Sequence, residues 1–189
     1  MTAIVVALTP EFADWECALL MAVARSYLGV VVKTATSDGS PVTSMGGLNV
    51  TPDLSYDDVK PQDFDALVVP GGLAWEKGLV PEKLPALVHS FHDEKKMTAG
   101  ICAAASMLAG TGILNDIKHT GNRLGSHQAY PAYSGDGLYI DGPAAVHCDG
   151  VVTAAGTAPF TFTVEVLKGL GLWNATAEEE MAPFSAEHR

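Results

Sequence analysis

The chain has 189 residues, 48% of them hydrophobic and 17% charged, with a formal net charge of −11 from 22 acidic and 11 basic residues. That length builds one domain with a core of two or three layers, so residues 1–189 are taken as a single unit. The acidic balance excludes a nucleic-acid or anionic-membrane footprint, which needs clustered Lys and Arg, and no apolar run approaches the ~20 residues of a membrane span.

Ala3–Leu8 is a continuous apolar run of strand length, the pattern of a strand covered on both faces. It lacks the basic start and cleavage site of a signal peptide. Asp14 stands as a helix cap, Trp15, Ala18, Leu19, Ala22 and Val23 share one helical face, and Gly29 closes the helix. A strand over Val30–Thr36 follows, then a hairpin over Pro41–Thr51 around Met45-Gly46-Gly47, then an acidic, Pro-bearing loop over Asp53–Asp65 with room for one turn of helix. Ala66–Val69 is a second buried strand, stopped by Pro70-Gly71-Gly72. Glu82–Lys95 has Leu84, Leu87, Val88 and Phe91 on one helical face.

Met97–Ile101 is a strand and Ala103–Ala109 a small-residue helix, with Cys102 at the junction. Ile113–Tyr133 is irregular and polar and holds His119 and His127. Ala144–His147 and Val151–Ala154 are strands joined by a Cys148-Asp149-Gly150 turn. Phe160–Leu170 is the last amphipathic helix, and Glu178–Arg189 is a weakly packing polar tail. Strands alternating with helices predict an α/β fold with a mainly parallel sheet between helical layers. In such sheets sites form beyond the carboxyl ends of the strands. The loop after strand one, Gly71-Gly72 and Cys102 all fall at that edge.

A residue on a sharp strand-to-helix turn is held in a strained backbone and projects from the sheet edge, which suits a nucleophile. The helix dipole there is expected to make the Cys102 thiol more acidic than a free cysteine, at about 8.5. Ala103 and Gly71-Gly72 offer backbone N–H groups for an oxyanion. Two acid/base partners are open. Glu16 lies in the first turn of helix one, off its apolar face, and a carboxyl desolvated beside a thiolate has a raised pKa and titrates with it as a pair. His119 is an imidazole in the polar loop. Trp75 stands as a pocket wall, a core residue or an interface residue. His89, His92, His127 and His147 are expected in packing or surface roles. Cys17 and Cys148 are expected as small buried hydrophobes. The three cysteines show no zinc-type spacing, so no metal is expected, and they fit a reduced, cytoplasmic setting.

Five segments resemble the ThiJ/PfpI superfamily of the class I glutamine amidotransferase-like fold, which includes the Parkinson-associated protein deglycase. They are Asp14-Trp15-Glu16, Val68-Val69-Pro70-Gly71-Gly72, Ala99-Gly100-Ile101-Cys102-Ala103, Lys118-His119-Thr120 and Thr153-Ala154-Ala155-Gly156-Thr157. The likeness runs from Ala3 to about Leu172. It implies a flavodoxin-like three-layer α/β/α sandwich with a nucleophile elbow at Cys102. It also implies Glu16 facing the thiol, Gly72 and Ala103 as oxyanion donors, His119 near the site, and often a homodimer. Ala103 stands where the protease-like branch of the superfamily has a histidine, which argues against peptidase activity. Ala154-Ala155-Gly156 stands where glutamine amidotransferases carry a His-x-Glu pair, which argues against glutamine hydrolysis.

The leading expectation is a cofactor-free cysteine enzyme acting on a small reactive carbonyl or similar electrophile, of glyoxalase III or deglycase type, with isocyanide-type hydration left open by the resemblance. The alternative is a redox-sensing or stress-protective protein in which Cys102 is oxidised to a sulfinic acid beside Glu16. A nucleotide binder using Gly71-Gly72 is disfavoured, because Gly-x-Gly-x-x-Gly is absent and Pro70 removes an N–H.

Overall fold

A computed structural model of the chain describes residues 1–186. Seven strands form the central sheet: β1 (Ala3–Ala7), β2 (Val31–Thr36), β5 (Leu54–Ser55), β6 (Ala66–Val69), β7 (Met97–Ile101), β8 (Val146–Cys148) and β9 (Val151–Ala154). Their order is β5-β2-β1-β6-β7-β9-β8, and every neighbouring pair is parallel except β8 with β9. The middle strands are apolar without alternation because both of their faces are covered.

Two helical layers do the covering. On one face, α1 (Asp14–Ser26), α6 (Pro159–Gly169) and α7 (Ala175–Ala186) bury Leu20, Val23, Phe162, Val166 and Met181 against Ile4, Val6 and Val68. On the other, α3 (Lys83–Asp93) and α4 (Ala103–Gly110) bury Leu84, Val88, Phe91, Met107 and Leu108 against Val5, Leu67 and Val69. Gly100 in β7 has a packing reason: a Cβ there would lie 2.7 Å from Leu108 Cδ1. The flavodoxin-like α/β sandwich expected from the sequence is the observed fold.

Four details differ from expectation. Asp14 is not the cap of α1, since Ala13 holds that position without a side-chain bond. The Asp14 carboxylate instead accepts the Gly46 N–H at 2.7 Å and so pins the tip of the hairpin made by β3 (Val42–Thr43) and β4 (Asn49–Val50). The acidic stretch after the hairpin contains edge strand β5 and two 3-10 turns. The glycine-rich and polar loops hold two short helices, α2 (Leu73–Glu76) and α5 (Leu124–Gln128). The expected tail is largely α7, capped by Asn174 Oδ1 on the Ala177 N–H and anchored by buried Ala177 and Met181; the end of that tail lies outside the described residues.

Candidate active site

Four chain segments leave the carboxyl ends of β1, β6, β7 and β9 and meet at one point. β7 ends in Cys102, whose φ of 62° and ψ of −128° belong to a left-handed region that non-glycine residues rarely occupy. The strain is held from both sides. The Cys102 N–H bonds to Ala154 O at the end of β9 (2.9 Å), and α4 starts at the next residue. Sγ is thereby aimed out of the sheet edge, half-buried.

Glu16, in the first turn of α1, is 1% exposed. One carboxylate oxygen, Oε2, accepts the Gly71 N–H at 2.6 Å. The other, Oε1, has no hydrogen-bond partner of its own. It meets Cys102 at Gly156, just after β9. A Cβ on Gly156 would lie 2.8 Å from Oε1 and 2.9 Å from Sγ, so both atoms crowd the bare α-carbon of Gly156 and no side chain fits there. Burial pushes the Glu16 carboxyl up to about 7, against the lowering effect of the Gly71 N–H and the Cys102 side chain.

The thiol behaves differently from the sequence expectation. Burial and then the negative charge of Glu16 raise its pKa, while the Asn122 amide and the Ala103 N–H lower it without offsetting them. The helix start is present, but it is outweighed by desolvation and a neighbouring carboxylate. Two acids this close titrate together as a pair, and once one proton has left, the thiolate is the form in which the remaining proton sits on Glu16.

The two glycines after β6 divide their roles. Gly71, expected as an oxyanion donor, spends its N–H on Glu16. Gly72 has a φ of 140°, and a Cβ there would lie 2.2 Å from Glu11 O, so no other residue fits. Its neighbours bond across to the β1–α1 loop, through Ala13 N–H to Gly71 O and Leu73 N–H to Glu11 O, while the Gly72 N–H itself makes no hydrogen bond. The Ala103 N–H at the start of α4 lies beside Sγ and lowers the thiol pKa.

His119 is not placed as a partner of Cys102. It is fully buried, with Nδ1 on Ile117 O (2.8 Å) and Nε2 on the Tyr133 hydroxyl (2.7 Å). It stacks on His127 with ring centres 5.6 Å apart, and burial lowers its pKa. Both ring nitrogens are committed, so the imidazole braces the loop that carries Asn122. Trp75 packs against the α3–α4 core and does not line the cleft at Cys102.

Asn122 was not singled out from the sequence. Its Oδ1 accepts the Gly156 N–H at 2.9 Å, which fixes the amide orientation and leaves Nδ2 to donate to Cys102 Sγ at 3.3 Å. One asparagine thus ties the loop after β9 to the nucleophile. No local pattern marks it, because its partners lie 20 and 34 residues away. Gly156 was singled out only as part of a motif, and Trp15, expected on the apolar face of α1, is exposed instead, since the buried residues of that helix are Glu16, Cys17, Leu20, Val23 and Ala24. Both line the cleft of about 520 Å³, with Glu16, Cys102, Asn122, Thr157 and Pro159.

Among the described residues, no cluster of three or more His, Cys, Asp or Glu is arranged to hold a metal, and no helix is long and apolar enough to cross a membrane.

Comparison with known proteins agrees with this architecture. The DJ-1/PfpI family model matches residues 2–169. The uncharacterized protease YoaZ of Bacillus subtilis is 34% identical over 171 residues, covering 85% of this chain and 79% of that protein. Deglycase PH1704 of Pyrococcus horikoshii is 36% identical over 92 residues, covering 49% of this chain and 55% of the deglycase. The crystal structure of the DJ-1 superfamily protein Atu0886 from Agrobacterium tumefaciens is 62% identical, covers both chains completely and superposes with a TM-score of 0.97.

Proposed function

The chain belongs to the DJ-1/PfpI family, and on that premise we propose that it is a cysteine enzyme that converts small 2-oxoaldehydes to 2-hydroxy acids without a bound cofactor. The observation that carries this reading is the pairing of the buried Glu16 carboxyl with the Cys102 thiol, both packed against Gly156. A proton carrier and a nucleophile then line the same cleft, which is the arrangement needed to add to a carbonyl and shift a proton within it. A deglycase among the relatives supports carbonyl chemistry. The protease name of another relative is not carried over, because Ala103 leaves no histidine beside the nucleophile and His119 is committed elsewhere.

The chemistry balances within the substrate and one water. With the proton on Glu16, the Cys102 thiolate adds to the aldehyde carbon. A C–S bond forms, and the carbonyl π pair moves to oxygen, where the Gly72 and Ala103 N–H groups meet it. Glu16 passes its proton to that oxygen. The resulting carboxylate removes the hydrogen of the former aldehyde carbon as a proton, giving an enediolate, and returns it to the adjacent carbon, while the proton on the first oxygen passes to the oxygen of that adjacent carbon. The first carbon is thereby oxidised to a thioester and the second reduced to an alcohol. Water hydrolyses the thioester, releasing the 2-hydroxy acid and the thiol.

The test is to incubate the protein with methylglyoxal and follow lactate by NMR, beside Cys102→Ala and Glu16→Gln. Lactate from the parent and from neither variant is the expected result. No lactate from a parent whose Cys102 still reacts with iodoacetamide overturns the reading. Stoichiometric uptake of peroxide at Cys102 without carbonyl turnover would favour the redox-sensing alternative.

A further inference from the structure

The walls of the cleft carry chemistry that the dyad does not use. Apart from the Glu16–Cys102 pair, whose carboxyl is buried at the base, every lining side chain is uncharged: Trp15, Asn122, Thr157 and Pro159, with Gly156 bare. Arg123, the cation next to Asn122 in the chain, turns to Ser126 Oγ at 3.1 Å and does not line the cleft. Among the described residues, no cationic side chain lines the cleft to pair with a carboxylate or phosphate on a substrate. Any anion entering would approach the negative charge shared by Glu16 and Cys102.

Trp15 supplies the opposite preference. Its Nε1–H donates to Gly156 O at 3.0 Å, on the residue against which both Glu16 and Cys102 pack. That bond fixes the indole at the lip of the site, yet the side chain remains 49% exposed. A large ring held by its polar edge, with its body left in solvent beside the reacting atoms, is a platform for a flat apolar group. Pro159 stands among the same lining residues.

We propose that this cleft selects uncharged electrophiles bearing an aromatic substituent, and that Trp15 is the residue that recognises it. Within the carbonyl reading above, on which the turnover claim rests, the substrate class is the arylglyoxals, each taken to the corresponding aryl 2-hydroxy acid by addition of one water. The thiolate, the oxyanion donors and the proton path are unchanged; the aromatic ring lies on Trp15.

The test separates recognition from turnover. Cys102 alkylation rates are measured with iodoacetamide, N-benzyliodoacetamide and iodoacetate, each normalised to N-acetylcysteine. In the parent protein the benzyl reagent should react faster than iodoacetamide by about fivefold, the scale of one aromatic pair, and iodoacetate should be the slowest. The benzyl advantage should vanish in Trp15→Leu and persist in Trp15→Phe, which keeps a ring and loses the N–H. A parent without benzyl preference, or a Trp15→Leu variant that keeps it, overturns the proposal. Phenylglyoxal and methylglyoxal are then compared by kcat/KM. Preference for phenylglyoxal supports the proposal, and preference for methylglyoxal overturns it for turnover. If neither is turned over while the alkylation pattern holds, the carbonyl reading fails and the recognition of uncharged aromatic electrophiles stands.

Discussion

At the scale of single residues, function here is set against stability. Glu16 has its proton affinity raised from the ordinary 4.5 to about 7, chiefly by burial. A folded-state pKa above the unfolded one means that the folded chain binds more protons between those values, so stability falls as pH rises through that window. Below about 4.5 nothing is lost. Above about 7 the ionised carboxyl costs on the order of 3 kcal/mol. Glu16→Gln keeps an oxygen for the Gly71 N–H and removes the titration. It should therefore raise Tm at pH 8 more than at pH 5, while kcat falls by about 10²–10⁴. Equal shifts in Tm at both pH values would contradict the assignment. Asn122 acts on the other member of the pair. Its amide favours the thiolate, so Asn122→Ala should move the Cys102 thiol further up. The pH profile of iodoacetamide alkylation would then shift to higher pH by about half a unit to one unit, the scale of one hydrogen bond to a charged sulfur. An unmoved profile would make Asn122 a brace for Gly156 alone.

At the scale of elements, what was legible in the chain was what local pattern controls. β1, β6 and β7 are continuous apolar runs, and α3 has its four core residues at helical spacing, so their positions followed from period and length. The Cys148-Asp149-Gly150 turn followed from composition, and Asp149 and Gly150 do have positive φ. What was missed depends on contacts between distant residues. α7 carries three successive glutamates and a proline, and only Ala177 and Met181, four apart, face inward. Its helical state comes from docking on the α1–α6 side of the sheet, which no local propensity reports. Met181 is 1% exposed in that core. Met181→Ala should cost about 2–5 kcal/mol, read as a lower urea midpoint at constant slope. A loss below about 0.5 kcal/mol would return this segment to the weakly packed tail that its composition suggests. The same logic explains the site. Glu16, Gly72 and Cys102 announce themselves through helix position, double glycine and elbow, whereas Asn122 and the indole of Trp15 acquire their roles only when β9 brings Gly156 between them.

At the scale of the whole molecule, two sources of discrimination against anions act over different distances, and salt separates them. The net charge of −11 creates a field that repels anionic reagents before they reach the cleft. The negative charge shared by Glu16 and Cys102 acts only at contact, inside a partly desolvated site. Added salt shortens the Debye length from about 30 Å at 0.01 M to about 3 Å at 1 M, which removes the long-range field and leaves the contact term largely intact. Alkylation of Cys102 by iodoacetate should therefore accelerate across that range, while alkylation by iodoacetamide stays flat. The anionic reagent should still trail the neutral one at 1 M salt, because among the described residues no cationic side chain lines the cleft to offset the local charge. Convergence of the two rates at high salt would mean that the acidic surface alone sets the preference. A residual gap would locate it at the ends of the four central strands, where the fold places Glu16, Gly72, Cys102 and Gly156 together.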